Sequence, residues 1–191
     1  MSIDVIFING PSSSGKSAIA EELQKSLDSC YLHLGLDTFI SMMPSKANKL
    51  SKETGRSEGF YFEECLVDGK PASRVRSGEL GARVNKTYRE TVALIASSGI
   101  GVLVDDVIDG GNEWQQWRSV LSDFTVLKVG LYCDEDVLAR REITRDDRRI
   151  GSAIEQARRV HVGMEYDLTV DTTAMSSIVC AQNILDHMKN I

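Results

Sequence analysis

The residues with the clearest chemical potential are Gly10, Pro11, Ser12, Ser13, Ser14, Gly15, Lys16 and Ser17, which fit the Walker A spacing G-x-x-x-x-G-K-[ST] at every fixed position. Glycines in such a loop let the backbone turn tightly, so that successive N–H groups converge on phosphate oxygens. The helix that follows adds the positive end of its dipole. Lys16 is expected to reach the β- and γ-phosphates of a nucleotide, and the Ser17 hydroxyl to bind Mg²⁺. Three further groups are placed to act on what the loop holds. Asp37 follows a short predicted strand at 30–34 and so falls at a strand's carboxyl end, where open α/β sheets collect ligands. It is the leading candidate for a general base that orients a hydroxyl and takes its proton, and a helix N-cap is the alternative role. Asp105 and Asp106 end the apolar run Val102-Leu103-Val104 and resemble a Walker B segment beside Mg²⁺. Strand alternation sends the two to opposite sides without saying which serves the metal. Arg140, Arg141, Arg145, Arg148 and Arg149 form a dense cluster. Three of them share one face of a predicted helix, as a lid over phosphates or as a solvated face paired with Glu142, Asp146 and Asp147.

These groups need elements to hold them, and the order is strand, loop, helix from the outset. Residues 3–9 are a β-branched apolar run that reads as a buried strand, and Ile19, Leu23 and Leu27 recur at helical spacing after the loop. Downstream, helices are expected at 79–97, 113–121, after the Asp134 cap and from about Ser176, with strands at 102–106, 125–133 and 168–171. Residues 44–78 show no sustained period, but Asp68-Gly69 is a hairpin turn signal between two flanking runs. This excursion is read either as a holder of the acceptor or as a variable surface loop.

Composition bounds the rest. The 191 residues suffice for a single domain, 1–191, with a buried core. No apolar run is long enough to span a bilayer and no secretory leader is visible, so a cytoplasmic protein away from membranes is expected. Cys30, Cys65, Cys133 and Cys180 form no C-x-x-C pair, which points to reduced thiols. A formal net charge of −6 disfavours nucleic acid as a partner. Oligomeric state is left open, a homo-oligomer included. His33, His161 and His187 share no motif and are read as structural.

Phe7-Ile8-Asn9-Gly10 with Ser12, Ser13 and Gly15-Lys16-Ser17, then Gly35-Leu36-Asp37 and Val104-Asp105-Asp106-Val107, resemble the chloramphenicol phosphotransferase family. The resemblance continues through Arg118, Val129-Gly130, Cys133-Asp134, Arg141-Glu142, Arg145, Asp147-Arg148, Val160-His161, Glu165-Tyr166-Asp167 and Val170-Asp171-Thr172-Thr173, and lapses over about 44–78. It implies a P-loop kinase-like three-layer α/β/α sandwich with a central, mainly parallel five-stranded sheet. It also implies transfer of the γ-phosphate of ATP to a primary hydroxyl of chloramphenicol, an antibiotic-resistance activity. In this resemblance Asp37 matches the catalytic base, and Arg141 and Arg145 match lid arginines. The expected activity is an ATP- and Mg²⁺-dependent phosphotransferase acting on a small hydroxyl compound. Another small-acceptor P-loop kinase, for a nucleotide sugar, a shikimate-like acid or a nucleotide, is the nearest alternative. A nucleotide-dependent switch is disfavoured, because the chain has no D-x-x-G and Asn85-Lys86-Thr87-Tyr88 lacks the Asp of a guanine motif.

Overall fold

The computed structural model describes residues 3–50, 55–144 and 151–191. Its centre is a five-stranded, wholly parallel sheet in the order β2-β5-β1-β6-β7, formed by β1 (Val5–Asn9), β2 (Tyr31–Gly35), β5 (Gly101–Asp106), β6 (Val126–Tyr132) and β7 (Leu168–Asp171). The strands are apolar because helices cover both faces, which leaves a parallel strand no wet side. β1 shows this most clearly, with all five residues buried. Its side chains alternate: Ile6 and Ile8 join Ile19 and Leu23 of α1 (Lys16–Ser26) and Ile184 of α7 (Ser177–Met188) in one cluster. Val5 and Phe7 join Tyr88 and Val92 of α3 (Glu79–Ser97) and Trp117 of α4 (Gly110–Val120) in the other. The three layers expected from the sequence are therefore present.

Two remaining strands, β3 (Phe60–Val67) and β4 (Lys70–Ser77), pair antiparallel as a separate hairpin whose turn falls at Asp68 and Gly69, both with positive φ. The remaining helices are α2 (Leu36–Ser41), α5 (Glu135–Ile143) and α6 (Ser152–Ala157). Asp134 caps α5 as its spacing predicts, accepting from the N–H groups of Asp136 and Val137. α5 ends at Ile143, and Arg145 and Arg148, which the spacing puts on the same face, lie outside the described residues. Among the described residues no helix is long and apolar enough to cross a membrane.

Candidate functional site

The parallel strands deliver the 10–17 loop, the end of β2 and the end of β5 to one edge of the sheet, and a cavity of about 870 Å³ opens there. In the loop, Ser13 (φ 64°) and Gly15 (φ 94°) adopt left-handed backbone conformations, which turn successive N–H groups inward, and α1 begins directly at Lys16. Packing beneath is tight: a Cβ on Gly10 would lie 2.9 Å from the Leu131 carbonyl oxygen. The hydroxyls of Ser12, Ser13 and Ser14 are buried with no protein partner among the described residues. Buried hydroxyls are ordinarily hydrogen-bonded, so three orphans in consecutive positions indicate a site shaped for an external acceptor such as phosphate. Lys16 is buried, donates to the Pro11 carbonyl at 3.0 Å and lies 3.8 Å from Asp105.

The two acidic residues that close β5 diverge. Asp105 turns to the loop, accepting from the Ser17 hydroxyl at 2.5 Å, with His33 Nε2 at 3.5 Å. Burial pushes its pKa up, but the nearby His33 ring, Lys16 and the Ser17 hydrogen bond outweigh that and leave it below the ordinary value. Asp106 turns to the core, where its Oδ2 accepts from Trp117 Nε1 at 3.2 Å and its Oδ1 from the Val107 N–H. Burial first, then Glu113, pushes this carboxyl up to about 8. Ser17 and Asp105 thus offer a neutral hydroxyl and a carboxylate, oxygens of the kind Mg²⁺ accepts beside phosphates, whereas Asp106 is occupied elsewhere. Among the described residues no group of three or more His, Cys, Asp or Glu side chains converges as a metal cage.

Across the cavity stands Asp37, exposed in the first turn of α2 and on the cavity wall. Gly35, not Asp37, occupies the N-cap, so the capping role open to it in the sequence is not the one it fills. The hairpin forms the opposite wall through Phe60, Phe62, Arg74 and Arg76. Behind it, α6 connects both sides. Gln156 Oε1 accepts from the Ser12 N–H at 2.6 Å, and the adjacent Glu155, buried, accepts from Arg74 Nε and from Arg159 Nε at 3.0 Å.

The arginine cluster divides. Arg141 reaches the loop, with Nη1 at 3.4 Å from the Ser13 carbonyl and Nη2 donating to the Thr172 carbonyl at 2.9 Å. Arg145, Arg148 and Arg149 lie outside the described residues. Glu142 is not an ion-pair partner on a solvated face: it is buried and accepts from the Gly151 N–H, the Ser152 hydroxyl and the Ala153 N–H, joining the end of α5 to the start of α6.

Several members of the site carry no motif in the sequence. Gln156 and Glu155 are ordinary helix residues until the fold brings them to Ser12 and Arg74. Asn9, fully buried at the loop's entry, donates to the Val160 carbonyl at 2.9 Å and to the Tyr166 hydroxyl at 2.7 Å, while its Oδ1 accepts from Ile108 N–H. A polar residue ending an otherwise apolar buried strand is the signal that marks it. His161 belongs to the same cluster, stacked on Tyr132 with ring centroids 4.0 Å apart and hydrogen-bonded to Tyr166. His33 touches Asp105 and lines the cavity, so it stands nearer the chemistry than its isolated place in the chain suggests.

A parallel sheet with a phosphate-binding loop after its first strand and an acidic strand end beside it defines the P-loop kinase fold. Solved structures agree: a sugar kinase from Janibacter sp. HTCC2649 superposes with a TM-score of 0.65 at 15% identity, covering 98% of this chain and 95% of that one. The Mycobacterium tuberculosis APS kinase in complex with AMPPNP and APS gives 0.58 at 14% identity, covering 98% of each chain. Residues 3–189 match the family described as chloramphenicol phosphotransferase-like protein, and the chain belongs to that family. A Mycobacterium tuberculosis relative whose name gives it provisionally as an O-phosphotransferase is 32% identical over 173 residues, 89% of this chain and 75% of the relative. The chain is accordingly a phosphotransferase of the kinase type.

Proposed function

We propose that the protein is an ATP- and Mg²⁺-dependent phosphotransferase that moves the γ-phosphate to a hydroxyl of a small molecule, the reaction type of the chloramphenicol phosphotransferases. The observation that carries this reading is that Lys16, Ser17 and Asp37 line one continuous cavity large enough for a nucleotide's phosphates and an acceptor. The loop N–H groups, the orphaned serines and Lys16 bind the donor phosphates, and Lys16 leaves the Pro11 carbonyl to do so. The Ser17 hydroxyl, with Asp105 beside it, would hold Mg²⁺, which would supply neutralisation of phosphate charge. Asp37 orients the acceptor hydroxyl and receives its proton as the oxygen bonds to phosphorus and ADP departs. Arg141, already against the loop, stabilises charge on the transferring group, and Arg145 has the same role by its family resemblance. Residues 44–78 form the acceptor side of a single domain, residues about 140–150 its cover, and ATP-rich cytoplasm is the setting.

The test is to incubate the protein with Mg-ATP and a panel of hydroxyl compounds that includes chloramphenicol, following ADP and phosphorylated product by mass. Acceptor-dependent ADP release with a product heavier by one phosphoryl group is expected. ATP binding without transfer to any hydroxyl would contradict the reading.

A further inference from the structure

The hairpin wall is chemically mixed. Phe60 and Phe62 present apolar surface, but Arg74 and Arg76 of β4 bring two guanidiniums to the same cavity. Both are held the same way, by Nε. Arg74 Nε donates to the buried Glu155, and Arg76 Nε to Glu63 Oε2 at 2.7 Å. Neither Glu155 nor Glu63 lines the cavity, so each carboxylate fixes its arginine from behind. The terminal Nη atoms of Arg74 and Arg76 meet no protein acceptor among the described residues, and the side chains keep 32% and 42% of their surface exposed. Arg159 differs, since it spends Nη1 on Asp109 at 3.0 Å as well as Nε on Glu155.

A guanidinium is a planar fork whose paired N–H groups match the two oxygens of a carboxylate or the oxygens of a phosphate or sulfate. Two such forks, two residues apart on one strand and pre-oriented by their Nε partners, lose little side-chain freedom when an anion arrives. A neutral acceptor would leave their charge unanswered, whereas an anion gains charge-assisted hydrogen bonds. Resting on the phosphotransferase reading above, we infer that the acceptor carries an anionic group, a carboxylate, phosphate or sulfate, in addition to its hydroxyl, and that Arg74 and Arg76 receive it. Such an acceptor places its charge on β4 and turns its hydroxyl toward Asp37 on the facing wall. The donor's own phosphates are the competing source of negative charge, and the experiment separates the two.

Calorimetry first measures binding of a non-hydrolysable ATP analogue with Mg²⁺. Failure to bind would overturn the underlying reading before any anion is added. Inorganic sulfate is then titrated into the analogue-saturated protein. The expected result is saturable sulfate binding in the wild type, weakened about tenfold or more in Arg76→Gln and in Arg74→Met, with analogue affinity unchanged. Arg76→Lys, which keeps the charge and the contact to Glu63 but not the fork, guards against a folding defect and should fall between. Arg158→Gln, off the cavity, should bind sulfate as the wild type does. No sulfate binding in the saturated protein, or equal binding in all variants, would overturn the inference. So would a loss of analogue affinity in the Arg74 and Arg76 variants, because it would assign these arginines to the donor.

Discussion

On the donor side of the cavity, Lys16, Ser17 and the three buried serines come from eight consecutive residues, and the parallel pairing of β1 with β5 sets Asp105 beside them. On the acceptor side, Asp37, Phe62, Arg74 and Arg76 come from α2 and from both strands of a hairpin outside the main sheet. The first half is fixed by backbone: left-handed residues, a helix start and strands packed on both faces. The second is fixed by side-chain pairs such as Arg74 with Glu155 and Arg158 with Asp68. On the proposed reading, chemistry common to kinases sits where change is costly, and acceptor choice sits where substitution leaves the sheet intact.

Four substitutions test that contrast. Trp117 is fully buried against Phe7, centroids 4.9 Å apart, and holds Asp106 beneath the donor strands. Trp117→Ala should cost about 3–5 kcal/mol in denaturant unfolding, and a loss below 1 would break the claim that the donor half rests on the core. Lys16→Ala should weaken nucleotide binding by about a hundredfold while leaving unfolding nearly unchanged, read by nucleotide-dependent thermal shift; an undiminished shift would contradict the donor assignment. His161 marks the sheet side by pH. Burial lowers its pKa below 6.5, so the unfolded chain takes up a proton that the native state refuses. Its contribution is complete above about 6.5 and is lost as pH falls from there toward the lowered native value. His161→Gln should flatten that acid-side slope, which for one proton is at most about 1.4 kcal/mol per pH unit. The smallest effect belongs to the hairpin tie: Arg158, half exposed between Asp68 and Glu135, should lose under about 1 kcal/mol on Arg158→Ala, with nucleotide binding intact.

The same contrast explains what was legible in the sequence. Spacing alone marks the 10–17 loop because its residues are adjacent, and period alone marks α3 and β7 because burial on one or two faces imposes it. The hairpin turn at Asp68 and Gly69 was visible because positive φ favours those residue types. Gln156 was not, since its partner is Ser12, 144 positions away, and no local pattern records such a pair. The choice between Asp105 and Asp106 needed the neighbours, Ser17 on one side and Trp117 on the other. The helix after Asp134 is legible from its cap and spacing as far as Ile143, and Arg145 and Arg148 lie outside the described residues.

The central claim is that Asp37 faces a phosphate held by Lys16 across one cavity. The direct measurement is single-turnover transfer from Mg-ATP to an accepted hydroxyl compound, comparing wild type with Asp37→Asn at matched nucleotide occupancy. The account predicts unchanged nucleotide affinity with transfer slowed by about 10²–10⁴-fold. Full-rate transfer by Asp37→Asn would contradict it.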